Sequence, residues 1–585
     1  MSLRHSQEAV LASLLALLAV PHAAWAQACP DPGRITAGMD GAIAHVRYLA
    51  DDALEGREVG TAGAHCAGQY VAEQFRTLGL DPGVPGGSYF QPFDVRKGAE
   101  LGPGNRLGIS NQAYVLGKDW TPLGFSGSTA VELPLVFAGL GLSAQQGGQD
   151  RFAEVDVAGK AMVVEWGAPS GGPHGPRLEA DPHFKGTVAA GRHAGALLVL
   201  LPEDMELPSP SQELRNALSI PVVAVAASAA AAVRSAAEQG TTVTLRTDVR
   251  PTTAEARNVV AVLPGSDPTL RDEFVVVGAH FDHLGRGGEG SLDPDAREIH
   301  NGADDNASGS AALIEVAARL TKGPRPSRSV VFVGFTGEEK GLWGSGYYVA
   351  HPTIDLDHAV AMINLDMVGR LEAGGVSVFG TGTAEEWEAL LNQVNEEMPH
   401  PLTLGFSPDG YGPSDHASFY GAGIPVLHFF TNTHADYHRP EDDWDKIDGA
   451  GIERIAEMTA RIALRVAGSP TTTAMALTPV QQERQAAEPS ESSTRSGYGP
   501  YFGTIPDMTP RDFGLRITGV REGSPADLAG LRGGDVVVEF DGKEIADIYA
   551  YTYALRSKAP GDEVKVVVER DGERVTFTAV LGERR

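Results

Sequence analysis

Four short apolar runs in the second half of the chain constrain its fold more than any other feature. They are rich in Val, Ile and Phe, are separated by helical stretches such as 307–321, and cover residues 274–278, 329–335, 358–363 and 425–430. Strands buried on both faces give runs of this kind, and they alternate with helices in open α/β sheets. We therefore predict an α/β fold with a mixed, mainly parallel sheet and helices on both faces.

Histidine and acidic residues follow these runs or open a helix. They are concentrated in five segments, at residues 278–282, 302–306, 337–339, 364–366 and 436–438. The side chains of interest in these segments are His280, Asp304, Glu338, Glu339, Asp366 and His438. Because ligands bind at the carboxyl ends of strands in open α/β sheets, these side chains are expected to meet at one edge. Zinc takes imidazole nitrogens and carboxylate oxygens readily, and this set suits a pair of divalent metals.

Five motifs in this part of the chain occur together in one known family. In order, they are His-x-Asp (280–282), Gly-Ala-Asp-Asp-Asn-Ala-Ser-Gly (302–309), Gly-Glu-Glu (337–339), Asn-x-Asp (364–366) and a late Tyr-His (437–438) ahead of Asp-Lys-Ile (445–447). The joint match is specific, although each motif alone is weak. The chain resembles the M28 family of co-catalytic zinc peptidases over residues 40–120 and 250–468.

The resemblance implies two Zn²⁺ ions per chain. His280 and Asp366 would hold one ion, and Glu339 and His438 would hold the other. Asp304 would bridge them, since a carboxylate shared between two dications offsets their repulsion and fixes their spacing. Each ion would keep an open position for water and substrate.

The resemblance also implies catalytic roles for three further residues. Glu338 would be the general base, because it adjoins a ligand and reaches the activated water without coordinating a metal. Asp282 would accept the second imidazole N–H of the first histidine ligand, and Tyr437 would hydrogen-bond the tetrahedral oxyanion. His434 competes for the ligand role of His438, which is preferred because Arg-Pro-x-Asp follows it, as in the family.

The first 26 residues have the features of a signal peptide. A basic start precedes an apolar run at 9–20, and Ala-Trp-Ala at 24–26 gives a cleavage pattern. The run is too short to span a bilayer, so we expect a periplasmic or secreted protein without a transmembrane anchor; an N-terminal membrane anchor is the alternative. Cys29 and Cys66 are then expected to form a disulfide rather than to remain as two thiols.

Changes in composition divide the rest of the chain. Residues 27–117 and 251–468 are predicted to form the catalytic domain, and apolar stripes at helical spacing predict that residues 38–92 are helical. Between them, residues 118–250 alternate short β-rich runs with glycine loops and resemble a protease-associated domain. This insert is expected to be a lid or a substrate-positioning module, or else a spacer without substrate contact.

The end of the chain is predicted to be a separate unit. Residues 469–497 are polar with little apolar periodicity, which indicates a flexible linker. Residues 498–585 carry Gly-Ser-Pro-Ala at 523–526 and Gly-Gly-Asp at 533–535, and they resemble the PDZ domains of bacterial envelope proteases. Such domains bind peptide C-termini through a loop whose counterpart here is 501–503. Docking on the catalytic domain is the alternative.

The charge of the chain helps to exclude one class of function. With 47 Lys and Arg against 76 Asp and Glu, the net charge is −29, which argues against a nucleic-acid partner. We predict an exported di-zinc exopeptidase that hydrolyses peptide substrates near a chain terminus. Among exopeptidases, we predict an aminopeptidase. A carboxypeptidase of the same fold and a non-catalytic, receptor-like relative are the alternatives. The receptor-like relative is expected to have lost ligands.

Overall fold

The computed structural model describes residues 29–141, 155–167, 181–212, 217–480 and 501–582, apart from short breaks at 111, 289, 294–295, 372–374, 507–512, 521–523, 547–549, 552–553, 556–557, 559–560 and 571. The predicted signal peptide and residues 481–497 of the predicted linker lie outside these residues. Among the helices within them, none is long and apolar enough to cross a membrane.

The described chain begins with helices packed against the catalytic sheet. The elements are α1 (Pro32–Ile35), α2 (Gly41–Leu49), α3 (Ala62–Thr77), β1 (Asp81–Pro82) and β2 (Phe90–Leu101). Val46 and Leu49 on α2, and Val71 and Phe75 on α3, are buried in the main core. The helix predicted to reach residue 92 ends at Thr77, because four glycines between 79 and 87 disfavour helix.

A disulfide joins Cys29 to Cys66, with their Cα atoms 5.3 Å apart. This confirms the predicted pairing. The bond ties the segment ahead of α1 to α3 and closes a loop with a sequence separation of 37 residues. Opening that loop enlarges the conformational freedom of the unfolded chain and leaves the buried helix contacts in place.

Replacing both cysteines with serine is therefore expected to lower the free energy of unfolding by about 3–4 kcal/mol, the size that loop entropy gives for such a loop. Urea unfolding of the purified protein measures this loss. Cys29→Ser and Cys66→Ser alone should each show the same loss as the double variant, since each opens the same loop. An unchanged unfolding midpoint after reduction of the wild type would contradict the expectation.

The inserted region has its own sheet with buried faces on both sides. Its elements are β3 (Arg106–Ile109), β4 (Gln112–Tyr114), β5 (Trp120–Pro122), β6 (Ala130–Phe137), β7 (Ala161–Glu165), α4 (Pro182–Gly191), β8 (Ala196–Leu200), β9 (Val222–Val225), α5 (Ala227–Glu238) and β10 (Thr242–Arg246). The strand order is β4-β3-β10-β6-β7-β8-β9-β5. This sheet begins before the predicted boundary at residue 118, because Leu107 and Ile109 of β3 are buried in the core it shares with β10.

The catalytic region is built on a second, nine-stranded sheet. Its further elements are β11 (Val249–Leu263), β12 (Phe274–His280), α6 (Gly309–Lys322), β13 (Ser329–Phe335), α7 (Trp343–Ala350), β14 (Ala359–Leu365), β15 (Val376–Phe379), α8 (Trp387–Glu396), β16 (Leu404–Ser407), α9 (His416–Gly421), β17 (Val426–Phe430) and α10 (Gly449–Ala467). The order is β1-β11-β13-β12-β14-β17-β15-β16, with β2 paired to β11. β13, β12, β14 and β17 run parallel at the centre, whereas β11 and β15 pair antiparallel with β13 and β17.

Both faces of the parallel centre are covered, which confirms the predicted α/β class. On β12, Val275 and Val277 belong to a core shared with α2, α3, α6 and α10. Phe274 and Val276 belong to a second core, shared with α7 and α9. Burial on both faces explains why these strands are continuous apolar runs rather than alternating ones.

The PDZ-like region forms a third sheet with its own core. Its elements are β18 (Thr504–Pro506), β19 (Leu515–Val520), α11 (Pro525–Ala529), β20 (Val536–Phe540), β21 (Lys543–Glu544), β22 (Glu563–Arg570) and β23 (Glu573–Val580). The strand order is β18-β19-β20-β22-β23. β19 lies against α9 of the catalytic region, so this unit contacts the domain that the linker joins it to.

Candidate metal centre and active site

The predicted site residues converge at the carboxyl edge of the parallel strands. His280 is the last residue of β12, and Asp366 directly follows β14. Glu338 and Glu339 follow β13 after a turn in which Gly337 has a φ of 77°, a conformation that favours glycine. The turn ahead of α6 adds Asp305. These side chains therefore lie together at the strand ends, where the sequence predicts them to meet.

One group of ligand atoms surrounds His280. Its Nε2 lies 3.6 Å from Oδ1 of Asp305 and 3.4 Å from Oδ1 of Asp366. All three side chains are buried. Ser414 donates to the other oxygen of Asp366 at 2.6 Å, which orients that carboxylate.

A second group lies on the other side of Asp305. Nε2 of His438 is 3.1 Å from Oδ2 of Asp305 and 3.2 Å from Oε2 of Glu339. The two oxygens of Asp305 therefore face different groups. The remaining oxygen of Glu339 lies 2.5 Å from Nδ1 of His283.

These donor atoms fit a pair of zinc ions. Bonds of about 2.0–2.2 Å from zinc to nitrogen or oxygen keep two ligands of one ion within about 4.4 Å of each other, and the pairs above lie at 3.1–3.6 Å. Within the described residues, Nε2 of His280 and Oδ1 of Asp366 are buried without a hydrogen-bond partner. Buried carboxylates at such density are costly unless cations balance them.

The charge around His280 agrees with this fit. Burial alone would lower the pKa of its imidazole, but the carboxylates of Glu338, Asp366 and Asp282 outweigh burial and raise it well above the usual value. The surroundings therefore favour positive charge at this position. A divalent cation satisfies that requirement more fully than a proton does.

Asp304, the predicted bridge, does not lie between the two groups. Its Oδ1 accepts from the backbone N–H of Gly369 at 2.7 Å and from the Ser308 hydroxyl at 2.9 Å. Its Oδ2 lies 3.2 Å from Nε2 of His434. The next residue, Asp305, lies between the two groups instead, because the backbone leaves helical geometry there and turns its carboxylate toward His280 and His438. The prediction was off by one residue.

The two competing histidines are separated by the same geometry. His438 reaches both Asp305 and Glu339, whereas His434 reaches Asp304 behind the site. Nδ1 of His438 lies 2.7 Å from the carbonyl oxygen of Gly290, so this carbonyl fixes the ring with Nε2 toward the carboxylates. The preference for His438 over His434 therefore agrees with the placement of both rings.

Glu338 lies beside the first group, whose members are His280, Asp305 and Asp366, and is not one of them. Its Oε2 is 3.8 Å from Nε2 of His280, and its side chain is largely buried. Burial raises the pKa of Glu338 well above its usual value, and the charges of Glu339 and Asp366 raise it further. A carboxyl group that binds protons this readily is suited to accepting one from water.

Asp282 acts on the site differently from the prediction. Its Oδ1 is 3.7 Å from Nδ1 of His280, which is too long for a hydrogen bond, and the Asp282 carbonyl oxygen lies nearer at 3.3 Å. The same Oδ1 accepts from the backbone N–H of Glu338 at 3.2 Å. Asp282 therefore joins the turn that carries Glu338 to the loop after β12.

Tyr437 lies at the mouth of the site. Its ring stacks on that of His438, with centroids 3.9 Å apart. It lines one cavity of about 980 Å³ together with Glu338, Glu339 and His438. The side chain is therefore placed where a substrate would meet the metal ligands.

Arg57 lies in a Leu-Glu-Gly-Arg segment at 54–57, and the sequence did not predict its role. Its guanidinium is fully buried and donates to the carbonyl oxygens of Leu49, Phe281 (2.7 Å), Asn301 (2.6 Å) and Gly302 (2.9 Å). These carbonyls belong to α2 and to the loops of the first ligand and of the bridge. Burial lowers the pKa of Arg57 to about 10, so it stays charged at neutral pH.

Asp442 and His283 were also missed as site residues. Oδ2 of Asp442 accepts from the backbone N–H groups of Asp304 (2.9 Å) and Asp305 (3.1 Å), and its Oδ1 pairs with Arg370 at 3.2 Å. It therefore holds the bridging loop by its backbone. His283 orients Glu339, and the signal for it in the sequence was its place directly after His-x-Asp.

Comparison with known proteins decides which family this geometry belongs to. The sequence profile of peptidase family M28 matches residues 258–463, and that of the PDZ domain matches residues 492–581. Residues 258–463 are a family M28 peptidase domain. The chain is a metallopeptidase, and the M28 domain carries the ligand groups described above.

Two curated relatives and one solved structure are similar to this chain. A probable lipoprotein aminopeptidase, LpqL of Mycobacterium tuberculosis, is 29% identical over 71% of this chain and 83% of its own length. The aminopeptidase YwaD of Bacillus subtilis is 25% identical over 70% of this chain and 80% of its own length. The solved structure of a zinc aminopeptidase from Bacillus subtilis is 22% identical, covers 74% of this chain and 96% of its own, and has a TM-score of 0.45.

Proposed function

We propose that the chain is an exported di-zinc aminopeptidase. The observation that carries the proposal is the position of Asp305, whose two oxygens face two separate ligand groups. His280 and Asp366 would hold the first zinc, and Glu339 and His438 the second. The ions would supply Lewis-acid activation of water and of the scissile carbonyl.

Proton transfer falls to Glu338. It lies beside the ligand set without joining it and lines the cavity in which the attacking water would lie. Its carboxyl group takes a proton from that water and then returns it to the leaving amine. Tyr437 lines the cavity next to His438, where its hydroxyl would stabilise the oxyanion that forms on the substrate carbonyl.

The charges of the cavity favour an aminopeptidase over a carboxypeptidase. A substrate with a free amine is repelled by a cationic side chain near the reacting bond. A carboxypeptidase needs a cation at that place instead. Among the described residues that line the cavity, the one Arg or Lys is Arg516, which belongs to the PDZ domain. The relatives LpqL and YwaD, both named aminopeptidases, also support this choice.

Export rests on the N-terminal pattern and on the disulfide. Bonds such as Cys29–Cys66 persist in oxidising compartments and are rare in the cytosol. A periplasmic or secreted location therefore fits both observations.

Metal content and substrate choice test the proposal together. The purified full-length protein is expected to hold about two zinc ions per chain and to lose activity with a chelator. It should cleave leucyl-alanine and leave N-acetyl-leucyl-alanine intact. Metal analysis and a paired assay measure both. Cleavage of the blocked dipeptide would indicate the carboxypeptidase, and a zinc-loaded protein that cleaves neither would indicate the receptor-like relative.

A further inference from the structure

The PDZ domain supplies part of the cavity that holds the metal ligands. Pro506, Arg516, Gly533 and Gly534 line the same 980 Å³ space as Glu338 and other catalytic-domain residues. They come from the end of β18, from β19 and from the turn ahead of β20. The catalytic side of this wall includes residues of α7 and α9, and β19 packs near α9. The cavity is therefore completed by a domain far away in sequence.

The PDZ domain is less suited to its usual mode of peptide capture. Strand addition relies on main-chain hydrogen bonds along an open edge. The described part of β18 has three residues, and the last of them, Pro506, has no N–H to donate. The hydroxyls of Thr504 and Tyr551 also hydrogen-bond, which joins β18 to the buried Tyr551. The face at the catalytic cavity is thus the more favourable place for contact with a substrate.

The two sides of the cavity differ in charge. The catalytic side carries the carboxylates of Glu338 and Glu339, whereas the PDZ side carries Arg516, an exposed residue that also has an interaction within the protein. Gly533 and Gly534 line the same wall and add no side chain to it. A short peptide with both termini free has the complementary pattern, with a cationic amine at one end and a carboxylate at the other. Arg forms strong charge-assisted hydrogen bonds with carboxylates.

We propose that Arg516 binds the C-terminal carboxylate of a short peptide whose N-terminus lies at the metal centre. The substrates are then short peptides with both termini free, and the PDZ domain acts as the far wall of the substrate site. This proposal rests on the aminopeptidase function proposed above, because that function places the free amine at the metal centre. Arg516 is a specificity-determining residue in this scheme and takes no part in the chemistry.

Equilibrium binding separates this proposal from the question of catalysis. The probes are leucine-glycine peptides of two, three and four residues, each as the free acid and as the C-terminal amide. Calorimetry uses the full-length, zinc-loaded Glu338→Ala variant, in which hydrolysis is suppressed. For at least one length, the acid should bind about tenfold more tightly than the amide, the size expected of a hydrogen bond to a charged group.

In the Glu338→Ala background, Arg516→Ala should abolish the preference for the free acid, because it weakens binding of the acid and leaves binding of the amide unchanged. Arg516→Lys should retain part of the preference. Arg574→Ala is the matched control, since Arg574 is an exposed arginine on β23 of the same domain and does not line the cavity. Equal affinity for acid and amide at every length, or a preference that survives Arg516→Ala, would overturn the proposal. Hydrolysis by the wild type would stand unaffected by that result, so the two proposals fail separately.

Discussion

The Glu338→Ala variant is expected to lower kcat by about 10²–10⁴-fold, the range that a well-placed general acid–base group contributes. Its carboxyl group approaches His280 without belonging to either ligand group, so its loss should remove proton transfer and leave zinc content unchanged. The substrate KM should change little, because the metals and the cavity walls remain. Metal analysis of the purified variant and steady-state kinetics with leucyl-alanine measure the three quantities.

Glu339→Ala is the control, because Glu339 is the next residue along the chain and lies within 3.2 Å of Nε2 of His438. This variant should lose zinc together with activity. The two variants are thus expected to lose activity for different reasons, Glu338→Ala through loss of proton transfer and Glu339→Ala through loss of zinc. If both variants lose the same amount of zinc, the separate roles of base and ligand are wrong.

Asp305 is expected to be the residue on which both metals depend. Asp305→Ala should reduce bound zinc and lower kcat/KM by about 10³-fold or more, because bound metal lowers the activation barrier by several kcal/mol. Its neighbour Asp304 provides a closely matched comparison. Asp304→Asn keeps an oxygen that can accept from Gly369 and Ser308, so zinc content and activity should stay within about tenfold of the wild type.

Zinc analysis after dialysis, followed by kinetics on the same samples, decides between the two residues. Thermal unfolding of both variants shows whether either loss is one of folding instead. The outcome that contradicts the structure is the reverse pattern, in which Asp304→Asn loses zinc and Asp305→Ala keeps it. That pattern would return the bridge to the position that the sequence motif first indicated.

The sequence predicts the sheet and the region of the site because both depend on short-range patterns. Apolar runs such as 329–335 mark strands buried on both faces, and parallel strands align their carboxyl ends. Side chains that directly follow a strand, such as Glu339 and Asp366, are therefore placed by the fold itself. These ligands required no knowledge of individual torsion angles.

The choice between Asp304 and Asp305 as the bridging residue does depend on individual torsion angles. Asp304 and Asp305 are chemically identical neighbours, and only the turn ahead of α6 decides which one faces the ligand histidines. Arg57 was missed for a related reason, since a buried arginine that binds backbone carbonyls has no sequence pattern to separate it from a surface arginine. Asp442 is similar, because its partners are backbone N–H groups 137 and 138 residues away.

The sequence also did not predict which part of the catalytic domain the PDZ domain contacts. A polar linker indicates freedom of movement, and composition carries no information about where the attached domain comes to rest. Docking of the PDZ-like unit on the catalytic domain was the alternative hypothesis for this region. The structure places Arg516 and Pro506 in the cavity wall, in agreement with that alternative.

The hydrogen bonds of Arg57 bear on which metal ligands this framework can carry. Its guanidinium binds carbonyl oxygens, which every amino acid carries, and makes no hydrogen bond to a ligand side chain. The paths of the two loops are thus fixed independently of the ligand side chains displayed on them. Ligands at 280 and 305 can therefore be exchanged for other donors while the loops keep their course, so the same framework could be redesigned around a different metal.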